Sequence, residues 1–174
     1  KVPLFDTEGT DTFTKFDLRT AQDHSWSLAG DSRYTFLRDV FSRDIQGAMG
    51  HPYTRSRFYH LYLNGIYWGI YQTEERPDND FATSYLGGHP NQYDVVKPSQ
   101  DMGRIVEAIS GNLDAYRRLH GAVITGLERN ADYFHIQGMD PDGRINPAYE
   151  RLLDVDNLID YMIITYFTAD ADGP

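Results

Sequence analysis

Polar and apolar positions along this chain follow two rhythms. In "TKFDLRT" (14–20), Phe16 and Leu18 alternate with charged neighbours, a period of two that predicts a half-buried strand. From Ser32 the period lengthens: Phe36, Leu37, Val40, Phe41, Ile45 and Met49 fall on one face of a helix. Asp31 or Ser32 can cap its start, and Gly50 followed by His51-Pro52 ends it. Arg38, Asp39, Arg43 and Asp44 lie mostly on the opposite face, where they read as solvated charges. The segment before this helix, "TAQDHSWSLAGDS", is polar and loop-like.

Period two then returns. "RFYHLYL" (57–63) and "IYWGIYQ" (66–72) flank Asn64-Gly65, a pair suited to the type I′ turn because both central residues take positive φ. Both strands are apolar on both faces, which predicts a central hairpin covered on each side, with Trp68 in the core. Gly69, in mid-strand, permits a bulge or a close approach by another backbone or ligand. A short helix is expected at 79–86, stopped by Gly87-Gly88. "YDVVKPS" (93–99) and "RIVEAIS" (104–110) form a second strand pair. Asn112 caps an amphipathic helix carrying Leu113, Tyr116, Leu119, Val123, Ile124 and Leu127, and residues 130–150 read as short helix plus loop. A last helix, about 156–168, delivers the chain to Asp170 and Asp172. The class is α+β: two antiparallel hairpins followed by a mostly helical half.

At 174 residues the chain is read as a single domain, 1–174, and its 14% aromatic content is that of a folded protein. A net charge of −10 repels phosphate backbones and argues against nucleic acid as a partner. There is no cysteine, so disulfides, thiolate catalysis and cysteine-containing zinc sites are excluded. No apolar run is long enough for membrane insertion. The six histidines form no HExxH. "DPDGRINPAYE" (140–150) has Arg144 where a calcium loop requires an oxygen ligand, so it reads as a surface turn. Glycine-rich phosphate loops and GxSxG are also missing.

Three charged sets remain. Lys97 shares a strand face with Val95, so it either snorkels outward or is held by a carboxylate or phosphate. Glu74, Glu75 and Arg76 follow the aromatic hairpin and, taken alone, read as solvated. Asp170 and Asp172 end an apolar helix, where the macrodipole disfavours carboxylates.

In order, these stretches resemble the CotH (spore-coat protein H) kinase family. "HLYLNGIYWGIYQTEERPD" is similar to that family's hairpin and "ER" signature, "YDVVK" to its following strand and lysine, and "GNLDAYRRL" to a later helix. "LLDVDNLIDYMIITYFTADADGP" resembles the helix leading to its catalytic "D-x-D-G". The resemblance implies a remote, atypical protein-kinase-like fold that uses ATP and Mg to phosphorylate Ser or Thr of a protein substrate. It assigns Lys97 to the phosphates, Glu75 as the partner of Lys97, Arg76 to phosphate or to bracing the strand, and Asp172 as catalytic base with Asp170 beside it. Proline after Gly173 is similar to a secreted or cell-surface bacterial subgroup. The family's later asparagine and "W-D-x-D" metal aspartate have no counterpart before Pro174. The expectation is therefore a domain incomplete at its C-terminus and inactive alone, with apolar surface on the last helix left exposed or covered by a partner in a homo-oligomer.

Two other functions compete. A polysaccharide-binding module would use exposed tyrosines with Trp26 and Trp68 as stacking surfaces. A glycosidase would use Glu75 and Asp172 as a carboxyl pair.

Overall fold

The computed structural model describes residues 3–12, 14–20, 35–99 and 106–170. Strands β1 (Phe16–Arg19), β2 (Ser56–Leu63) and β3 (Ile66–Glu75) make an antiparallel sheet in the order β1-β3-β2. The β2–β3 hairpin turns at Asn64 (φ 51) and Gly65 (φ 81), as the Asn-Gly pair demands. Leu61 pairs with Gly69 but Tyr62 pairs with Tyr67, so Trp68 is the extra residue of a bulge. Gly69 sits at φ 135, a conformation that side chains with a Cβ rarely adopt.

The hairpin is not covered on both sides. Tyr62 and Trp68 are 62% and 59% exposed, whereas Ser56, Gln72, Thr73, Glu74 and Glu75 at the other end are buried. Trp68 is therefore not a core residue. The bulge takes it out of the cross-strand ladder, and β2 is an edge strand among the described residues. Burial is confined to the end where β1 and a helix meet the sheet.

That helix, α1 (Arg38–Ala48), follows the sequence-predicted faces only in part: Val40 and Ile45 are partly buried and Arg38 and Asp44 exposed, as predicted, but Asp39 and Arg43 are partly buried as well. Leu37, Phe41 and Met49 are exposed, while Arg43 reaches Thr54 with hydrogen bonds of 3.0 Å to its carbonyl and 2.9 Å to its hydroxyl. Asp39 accepts from Gln72 on the sheet at 3.4 Å. Asp39 and Arg43 thus face the sheet because the facing end of the hairpin is itself polar and needs partners. The helix begins at Arg38, just after Phe36 at φ 64, and Asp31 and Ser32 lie outside the described residues. Past its end, His51 Nε2 lies 2.7 Å from Asp160. Helix α2 (Asn79–Leu86) is capped by Asp78, whose carboxylate accepts from the backbone N–H groups of Asp80 and Phe81 at 3.0 and 3.2 Å.

The described residues group into two compact units, residues 1–87 with 160–174, and residues 88–159. In the second unit β4 (Val95–Pro98) pairs antiparallel with β5 (Val106–Ser110), and their connection falls outside the described residues. Helix α3 (Asp114–Thr125) has Leu113 at its cap position, and Asn112 acts one residue earlier by accepting from Asp114 N at 2.7 Å. Helix α4 (Asn130–His135) leads into a loop closed by the bridges Gln137–Arg151 and Met139–Ile145. The turn inside it is held by Gly143 N donating to Asp140 O at 2.8 Å, in the stretch read as a surface turn. Helix α5 (Val155–Thr168) buries Val155, Ile164 and Thr165 but exposes Ile159, Ile163, Tyr166 and Phe167. None of the described helices is long and apolar enough to cross a membrane.

Candidate functional site

Strand alternation sends the adjacent Glu74 and Glu75 to opposite faces of β3, and each meets its own cations. Glu75 is 4% exposed. One of its oxygens accepts from the backbone N–H of Arg55 at 2.9 Å and from Arg55 Nη1 at 3.2 Å. The other accepts from the Tyr85 hydroxyl on α2. Arg55 is itself sandwiched between aromatic rings, with its guanidinium carbon 4.4 Å from the Tyr53 centroid and 4.3 Å from that of Tyr85. Burial first, and then the bond to Glu75, push the Tyr85 phenol up to about 12, against the Thr10 N–H that donates to the same oxygen at 3.0 Å.

On the other face Glu74 accepts from Arg19 Nη1 at 3.0 Å and lies 3.5 Å from Arg43 Nη1. The hydrogen bond to Glu74 raises the Arg19 guanidinium above its ordinary value despite the opposing cost of burial. Arg43 also forks onto Asp39 at 3.2 and 2.9 Å. Glu74 and Glu75 therefore belong to β3 and are buried and paired, which corrects the expectation that they lie beyond the hairpin in solvent. Buried carboxylates need such partners because the interior cannot replace their hydration.

Arg76 is half-exposed and donates to Asp17 of β1 at 3.0 Å, tying the end of β3 to its neighbour. Lys97, in the second unit, is half-exposed on β4 with Nζ 2.7 Å from Glu107 of β5. Asp170 is exposed, its backbone N–H donating to Thr165 O at 3.1 Å just after Ala169 at φ 52. Asp172 and Trp26 lie outside the described residues. The structure thus joins Glu75 to Arg55 and Tyr85, Arg76 to Asp17, and Lys97 to Glu107.

Sequence reasoning missed Arg19, Arg43, Arg55 and Tyr85 as partners of the glutamates. One signal was available: in "YTRSRF" Arg55 and Arg57 alternate at the start of a strand that leads into an apolar hairpin.

For a nucleotide with its metal, the residues fit one half of the requirement. Lys97 offers an accessible ammonium with more N–H donors than Glu107 alone can take. No group of three or more His, Asp or Glu side chains that could hold a metal occurs among the described residues.

A family model described as CotH kinase protein matches residues 29–174. No curated protein and no solved structure shows significant similarity to the chain. Since the matched region covers most of its length and contains the whole hairpin, both glutamates, Lys97 and Asp170, the chain belongs to the CotH kinase family.

Proposed function

We propose that this chain carries part of an Mg-ATP-dependent kinase site that transfers the γ-phosphoryl group to a Ser or Thr hydroxyl of a protein substrate. Family membership over residues 29–174 is the observation that carries the reading. Lys97 supplies positive charge to the phosphates, and Asp172, with Asp170 beside it, orients the acceptor hydroxyl. Arg76 contacts phosphate or braces the end of β3. Bound Mg-ATP would supply the transferred group and the charge neutralisation that phosphoryl transfer requires. On this reading the chain binds nucleotide weakly, transfers little, and works in a secreted or cell-surface setting.

Calorimetry with Mg-ATP on this chain, with and without Lys97→Ala, tests the reading. Binding that Lys97→Ala weakens at least about tenfold, a loss of about 1.4 kcal/mol, supports it. Absence of Mg-ATP binding would overturn it.

A second reading draws on the exposed rings of Tyr62, Tyr67 and Trp68, which form an uncharged aromatic surface at the hairpin tip. In this reading the tip stacks on a polysaccharide. Retardation of the chain in gels containing neutral glucan or xylan, lost in Trp68→Ala, would favour it.

A further inference from the structure

Residues 3–11 precede the region matched to the family, and they lie across the two side chains that hold Glu75. Phe5 anchors this segment at 1% exposure. Tyr59 donates its hydroxyl to Leu4 O at 2.8 Å. Arg57 pairs with Asp6 at 2.9 Å and with Glu8 at 3.2 Å. Beyond these ties, Thr10 N donates to the Tyr85 hydroxyl at 3.0 Å. Gly9 lies so close that a methyl group on it would fall 2.5 Å from the Tyr85 oxygen and 2.7 Å from Arg55 Cδ. The segment therefore touches both donors of Glu75 at once, Tyr85 on one carboxylate oxygen and Arg55 on the other.

We propose that residues 3–11 are a releasable strap that closes Glu75 from solvent and from ligand. Its ties are those of a latch. One aromatic side chain is sunk into the unit, while the other attachments include ion pairs with the exposed carboxylates of Asp6 and Glu8 and single hydrogen bonds, among them Tyr53 to Glu8 at 3.4 Å. Bonds of that kind exchange readily with water, so the strap can lift while β2 and β3 stay paired. Whether lifting it serves a nucleotide site rests on the kinase reading above. Closure of Glu75 itself does not.

Carbodiimide labelling with glycine ethyl ester, mapped by mass spectrometry on the full chain, tests the strap. Gly9→Ala pushes the segment away from Tyr85 and Arg55, and Asp6→Asn with Glu8→Gln removes its charged ties. In both variants labelling of Glu75 is expected to rise about fivefold or more while Glu74, on the opposite face, stays unchanged. Unchanged labelling of Glu75 in both variants overturns the proposal. A parallel rise at Glu74 also overturns it, because the segment would then be part of the unit's core. Mg-ATP titration of the same variants separates the two ideas. A selective rise at Glu75 with no nucleotide binding by any form leaves the strap standing and removes the kinase reading.

Discussion

The two ends of the β2–β3 hairpin reverse the usual relation between polarity and burial. At the turn end Tyr62, Leu63, Ile66, Tyr67 and Trp68 stand in solvent. At the other end Ser56, Gln72, Thr73, Glu74 and Glu75 are buried. The strands are continuous between them, so local propensity does not set the difference. What differs is the company. The polar end meets β1, α1 and α2, which bring Arg19, Arg43 and Tyr85, and Arg55 precedes β2 itself. Among the described residues, the apolar end is served by its own cross-strand pairs, such as Tyr62 with Tyr67 at 5.2 Å between ring centroids. Hydrophobicity states what a side chain gains from burial, and neighbouring elements decide whether burial is on offer.

Substitutions at the two ends should therefore have unequal effects. The largest is expected from Arg55→Ala, which leaves Glu75 buried without its cation and should cost about 3 kcal/mol in urea unfolding. A cost below about 1 kcal/mol would place that end among ordinary surface ion pairs and dissolve the contrast. Between the ends, Gly69→Ala forces a Cβ into φ 135 and should cost about 1 kcal/mol, read as a shift of the urea midpoint. An unchanged midpoint would mean that the bulge relaxes freely.

Alkaline titration sharpens the comparison further. The Tyr85 phenol is held up at about 12, above its ordinary value of 10.0, so the folded state retains a proton that the unfolded chain releases first. Its contribution to stability is full below pH 10 and is lost as pH rises toward 12. Melting temperature should fall less steeply over that window in Tyr85→Phe than in the parent, and equal slopes would remove Tyr85 from the buried end. The smallest effect is expected from Trp68→Ser at the exposed end, within about 0.5 kcal/mol of the parent. A larger loss would show that the tip is covered in solution.

Features set by neighbouring residues were legible in the sequence. Asn64-Gly65 marks the turn, Gly69 the bulge, and "NDFATSYL" gives α2 with both of its ends. Family membership was legible as well, in the hairpin and its "EER". What could not be read depends on distant partners. Glu74 looks like surface charge until Arg19 and Arg43 arrive from 55 and 31 positions away, the differences 74 − 19 and 74 − 43. On helix α1, Asp39 and Arg43 were read as solvated for the same reason: only the polarity of the facing sheet draws them inward. Glu75 stood out in the sequence through the hairpin that carries it, and its partner Arg55 did not, because a partner 20 positions earlier leaves no periodic signal (75 − 55).

Adjacent glutamates on one strand also proofread strand pairing. The tip is built of tyrosine, leucine and isoleucine, which tolerate one another in many alignments. A slip of one residue would bring one glutamate to the register position of the other and carry the second past the cations of its own face. One carboxylate would then be stranded without its cation, at several kcal/mol. Misaligned hairpins are thereby rejected at their charged end, which leaves the other end free to vary in sequence.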